Sequence, residues 1–209
     1  MNAAAPSAER LPGFVLYPVF LVSGFAALLY QLVWQRSLFR IYGTNMESIT
    51  LVVTAFMLGL GLGSLAGGVV SEKSRWPLPI LFGLIELVIG AFGLISLPLF
   101  GWIASFTSGV TGFAVGLISF AVVLIPTLFM GGTLPILVAH QVRQSGNVGR
   151  SVGALYFINT LGSAAASFAA AIWILGGLGL SRTVLLAAAL NLAAAASVMT
   201  AHLARKGRG

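Results

Sequence analysis

One carboxylate stands apart from the other ionisable groups of this chain. Glu86 lies in the middle of L-I-E-L-V-I-G, deep in an apolar run, whereas Glu9, Glu47 and Glu72 border such runs and aspartate is absent. An ionisable side chain at membrane depth costs about 2.5–3.5 kcal/mol on insertion scales unless it is paired or hydrated, so Glu86 is expected to face the protein interior. Gly83, Glu86, Gly90 and Gly93 follow one another at i, i+3, i+7 and i+10 and therefore share one helical face, on which another helix can come close. Two chemistries fit such a group: a site for a cation, an amine or a proton, or a protonated or hydrogen-bonded structural glutamate.

The second unusual stretch, Pro126 to His140, reads P-T-L-F-M-G-G-T-L-P-I-L-V-A-H. It sits in an apolar run over residues 111–139 that would extend roughly 43 Å as a helix, beyond a hydrocarbon core of roughly 30 Å. Pro126 and Pro135 lack a donor N–H and Gly131 and Gly132 accept many backbone angles, so an interruption is expected between the two prolines. Carbonyls freed there, beside Thr133, would have to face a wet cavity or another helix. Further along, Tyr156, Asn159, Ser163 and Ser167 form a small polar stripe with Thr160 beside it; an interhelical hydrogen bond from Asn159 is the plainer alternative to a binding role. Near the end of the first apolar run, Tyr30, Gln31, Trp34 and Gln35 cluster beside Arg36, where an interfacial belt is the plainer reading. Counted at ~1.5 Å per residue, Glu86, Asn159, Gly131 to Thr133, Ser23 and Gly59 to Gly63 all lie roughly 9–17 Å from one end of their spans. They are expected to form one polar layer, with Glu86, Asn159, Tyr156, Thr133, Gly131, Gly132 and Gln31 as the candidate ligand-binding residues.

The elements that must position these residues are apolar helices. The chain has 209 residues, 58% hydrophobic and 7% charged, which makes it an all-α integral membrane protein in contact with a lipid bilayer. Six transmembrane spans are expected, over 14–35, from beside Asn45 to 70, 78–100, the long fourth run, 152–178 and 183–203. Thr44 and Glu47 have capping-box spacing before the second span, Gly176, Gly177 and Gly179 close the fifth, and Ser181 can cap the sixth. Residues 1–13 and 204–209 remain as tails. The first apolar run is too long for a cleavable signal. On span two, Gly59, Gly63 and Gly67 make a packing seam, and Gly83 and Gly90 do the same on span three.

The net charge is +7, but most basic residues flank the spans, which speaks for topology and anionic lipid rather than nucleic acid. With the amino terminus inside, the inner segments hold Arg10, Lys73, Arg75, Arg143, Arg150, Arg205, Lys206 and Arg208, against Arg36, Arg40 and Arg182 outside. That bias places both termini in the cytoplasm, in the inner membrane. Cysteine is absent, and the two histidines, His140 and His202, are far apart in sequence, so neither a metal site nor a cofactor is expected.

The segments S-G-F-A-A-L-L-Y-Q-L-V-W-Q-R, A-F-M-L-G-L-G-L-G-S-L-A-G-G, L-I-E-L-V-I-G, P-T-L-F-M-G-G-T-L-P-I-L and L-Y-F-I-N-T-L-G-S-A-A-A occur in that order. Together they resemble the membrane domain of the fused major-facilitator/spermidine-synthase-like proteins. The resemblance implies half of a major-facilitator-like bundle, and in that family a soluble aminopropyltransferase domain commonly follows the membrane part. Without aspartate and without a soluble domain after span six, this chain is not expected to catalyse that transfer, and no catalytic residue is assigned. The leading expectation is a membrane subunit that binds or moves a small cation or polyamine and docks a separate soluble spermidine-synthase-like protein. The alternatives are a half-transporter working as a homodimer and a purely structural subunit of a larger membrane complex.

Overall fold

Apolar runs of this length leave the backbone one economical choice, because a helix satisfies its own N–H and C=O groups where no water is present. The computed structural model describes residues 11–42, 46–106 and 112–206. Its helices are α1 (Gly13–Tyr42), α2 (Met46–Lys73), α3 (Leu78–Phe106), α4 (Gly112–Ser145), α5 (Val148–Ala169) and α6 (Leu175–Lys206), with a π-helical turn, Ala170–Ile174, joining the last two. Among the described residues there is no strand. The Thr44–Glu47 capping box and the terminal tails up to Arg10 and beyond Lys206 fall outside what is described.

Five helical segments, not six, are long and apolar enough to cross a membrane, because residues 148–205 form one segment of 58 residues. Of the glycines expected to end the fifth span, only Gly179 leaves the helix. Helical structure passes through Gly176 and Gly177, and the departure is confined to Gly179, whose φ of 71° and ψ of 177° suit a residue without a Cβ. Thr183 at once back-bonds to the Gly179 carbonyl (2.6 Å), so the helix resumes within one turn. The kink at Gly179 nevertheless redirects the chain, and α1 packs against both α5 and α6.

α4 is likewise continuous, running through both Pro126 and Pro135, so the interruption expected between the prolines does not occur. Hydroxyls near the two rings bond back within the helix: Thr127 donates to the carbonyls of Val123 (3.0 Å) and Leu124 (2.9 Å), and Thr133 to that of Met130 (2.7 Å). The excess length is carried by a polar end, Gln141 to Ser145, that runs past the apolar stretch. There Arg143 donates to the Ser71 carbonyl at the end of α2 (2.7 Å), and Gly146, with a φ of 67°, ends the helix before Asn147 caps α5 through the Arg150 N–H (2.9 Å).

α2 and α4 make the most extensive pairing, followed by α3 with α6 and α1 with α5 and α6. The α2–α4 seam is built of glycines meeting backbone. A Cβ on Gly63 would overlap the Leu128 carbonyl, one on Gly67 would meet Gly132, one on Gly59 would meet Thr127, and one on Gly131 would overlap the Leu60 backbone. Gly83 and Gly90 do comparable work on α3, facing Met199 and Leu192 of α6. Trp34 centres the rest of the core, stacked on Tyr30 (5.0 Å) and packed against Phe56, Phe92 and Phe100. Tyr30 and Trp34 are fully buried, so they are not an interfacial belt; the indole N–H instead donates to Ser96 (3.0 Å) inside the bundle.

Candidate functional site

The buried face of α3 is written by its own periodicity: Phe82, Gly83, Glu86, Ile89, Gly90 and Gly93 all point inward. Glu86 is completely buried. Its carboxylate accepts a hydrogen bond from the Ser23 hydroxyl of α1 on Oε1 (2.6 Å) and one from the Asn191 amide of α6 on Oε2 (2.5 Å). Both donors are neutral. Two hydrogen bonds of this kind help to offset the cost of holding a carboxyl group at this depth.

Beside this triad lies a cavity of about 110 Å³ to which all six helices contribute. Its polar wall is Ser23 and Gln31 from α1, Thr133 from α4, Asn159 and Ser163 from α5 and Asn191 from α6, and its apolar wall includes Phe56, Leu60 and Met130. A space of that volume is several times the ~10–15 Å³ of probe volume that holds one water, and its mixed lining suits a small polar or amphipathic guest. Ser163 helps to fix the α5 side, donating to the Gly24 carbonyl of α1 (3.0 Å), while Gly24 itself leaves room for Asn159.

Of the residues singled out in the sequence, Gln31, Thr133 and Asn159 reach this cavity, and Glu86 stands behind its Ser23 and Asn191 wall. Gly131 and Gly132 do not: they are buried in the α2–α4 contact, where the lack of a side chain admits the neighbouring backbone. Tyr156 does not either. It is 60% exposed, because the inward positions of α5 are Ser151, Leu155, Gly162 and Ala166, and Tyr156 is turned about 100° from Leu155 on the helix. Of the polar stripe on that helix, Ser167 and Thr160 are also exposed.

Sequence reasoning missed Asn191. The signal was present, a lone amide in the alanine- and leucine-rich run A-A-A-L-N-L-A-A-A-A, equivalent to the one that drew attention to Asn159. Asn191 is 1% exposed, and its Oδ1 has no hydrogen-bond partner among the described residues. Leaving a buried acceptor unsatisfied costs about 1–3 kcal/mol, so such an atom needs a reason. The Tyr30 hydroxyl is another buried group without a partner among the described residues, held against Gly93 one and two turns further along α3 from Gly90 and Glu86. The chain matches no protein-family model, and no curated protein or solved structure is similar to it.

Proposed function

We propose that this chain is an inner-membrane protein that binds a small cation, an amine or polyamine head group, in the polar cavity between its helices. The observation that carries the reading is the Glu86 carboxylate, fully buried, held only by neutral donors, and one side chain away from a polar space. A cation in that space completes the electrostatics that a hydroxyl and an amide leave open. The ordered resemblance to the membrane domain of facilitator/spermidine-synthase-like fusions supports an amine as the guest. With Gly179 read as the break within the last helical segment, the chain has six spans, half of a facilitator-like bundle, and both termini in the cytoplasm, as the basic flanks favour. On this reading the protein serves a separate soluble enzyme of the spermidine-synthase-like type, to which it docks.

The test is calorimetric titration of methylammonium and putrescine chlorides into the full chain in lipid nanodiscs. Saturable binding that disappears in Glu86→Gln supports the site, and binding equal in both proteins removes it. Intact-mass measurement of the assembly released from native membranes addresses the partner. A stoichiometric soluble chain supports docking, a homodimer alone points to a half-transporter, and recovery only within a large complex points to a structural subunit.

A further inference from the structure

Resting on the reading of the cavity as a cation site, we infer that the guest is gripped by the carboxamides of Gln31 and Asn159, and that it is a primary ammonium, selected by its N–H donors as well as by its charge. Six polar side chains among the described residues line the space. Ser23, Thr133 and Asn191 are at most 6% exposed, and each donates inside the protein, Ser23 and Asn191 to Glu86 and Thr133 to the Met130 carbonyl. Ser163 is half-buried, but its hydroxyl proton goes to the carbonyl of Gly24 (3.0 Å) or Asn159 (3.1 Å). Gln31 and Asn159 remain. Both are half-buried rather than closed off, and neither side-chain amide has a hydrogen-bond partner among the described residues.

The helices that carry the two amides direct them to the same space. Ser23, Ala27 and Gln31 recur every four residues on one face of α1, and all three line the cavity. From α5, the Asn159 amide rests against α1, where a Cβ on Gly24 would meet its Oδ1, and the Ser163 hydroxyl ties the two helices at that point. A carboxamide oxygen carries two lone pairs and accepts from N–H groups. A primary ammonium offers such donors on one nitrogen and leaves an apolar remainder for Leu60 and Met130. A quaternary ammonium has the charge without the donors, so it leaves the amide oxygens desolvated and unpaired. The space of about 110 Å³, set beside the roughly 150 Å³ of a cavity that holds benzene, admits a guest of roughly five heavy atoms or the head of a longer amine.

The experiment is calorimetric titration of tert-butylammonium and tetramethylammonium chlorides into the full chain in nanodiscs, with methylammonium chloride as the reference ion. The two larger ions share charge, shape and number of heavy atoms, and differ in that only the first has N–H donors. In the wild type, tert-butylammonium is expected to bind at least tenfold more tightly than tetramethylammonium. In the double variant Gln31→Met with Asn159→Leu, which removes both amides, that preference should vanish. Tetramethylammonium binding to the wild type as tightly as tert-butylammonium overturns the inference and leaves the cation site standing, even where the double variant fails to fold. A folded double variant that keeps the preference overturns it too, since other acceptors then take the N–H groups. Binding of methylammonium with neither larger ion bound overturns it on size. If none of the three ions binds, the cation reading falls and this inference with it.

Discussion

The α2–α4 seam and the meeting of α1, α3 and α6 around Glu86 are both helix contacts inside one apolar bundle, yet they are held by different forces. Along the seam, Gly59, Gly63, Gly67 and Gly131 let backbones touch, and the attraction is dispersion between closely fitted surfaces. Around Glu86, directed hydrogen bonds from Ser23 and Asn191 fix the three helices relative to one another. A glycine seam tolerates no added volume but is indifferent to charge. A polar triad tolerates modest changes of volume but loses heavily when one partner disappears, since the remaining groups stay buried. The cavity lies where these two regimes adjoin, with Phe56 and Leu60 of α2 and Met130 of α4 on its apolar side and polar side chains of α1, α4, α5 and α6 on the other.

Substitutions on either side of that boundary separate the two regimes. The largest effect is expected for Gly63→Leu, whose side chain would have to occupy the position of the Leu128 backbone. A loss of more than about 4 kcal/mol should follow, seen as failure to recover a monodisperse protein from detergent extraction. Next comes Asn191→Ala, which leaves the buried carboxylate one donor short; unfolding in mixed micelles should show a loss of about 2–3 kcal/mol, with helix content unchanged. Trp34→Phe removes the donor to Ser96 and part of a ring cluster, and a loss of about 1–2 kcal/mol is expected in the same assay. Gly61→Ala, on the helix that carries the seam but facing open space, should stabilise by about 0.5–1 kcal/mol through helix propensity alone. A destabilising Gly61→Ala would mean that a further surface covers this face of α2. The smallest effect belongs to Tyr30→Phe, since its hydroxyl has no partner among the described residues. The change should stay within about 0.5 kcal/mol or be slightly favourable, and a larger loss would place a bound polar group against it.

Much of this architecture is legible without coordinates, and the reason is that lipid leaves few options. Hydropathy alone marks the apolar helices, and the burial of Glu86 follows from the cost of charge in hydrocarbon. The four-residue spacing of Gly59, Gly63 and Gly67 marks a face where another helix can approach. Those inferences rest on properties of single helices, which sequence periodicity encodes. The failures share the opposite origin. Gly131 and Gly132 suggested an unwound helix because glycine permits it, but a helix docked along α2 has no reason to unwind, and the same glycines become the contact. Pro126 and Pro135 suggested a break, yet α4 runs through both rings while docked along α2. Tyr156 joined the polar stripe by spacing and left it by rotation, because the packing of Leu155 and Gly162 decides which face of α5 turns inward.

The identity of the helices, their apolar length and the presence of one buried acid are therefore properties of the chain read residue by residue, since each depends on transfer energies of local segments. Which donors meet that acid, which helix supplies the amide and where a cavity opens depend on how the helices rotate and register against one another. Asn191 and Ser23 stand 168 residues apart in the chain and meet on one carboxylate only because glycine-lined faces bring α1, α3 and α6 together. Long-range packing of this kind leaves no periodic trace in either segment, and so it is decided in three dimensions.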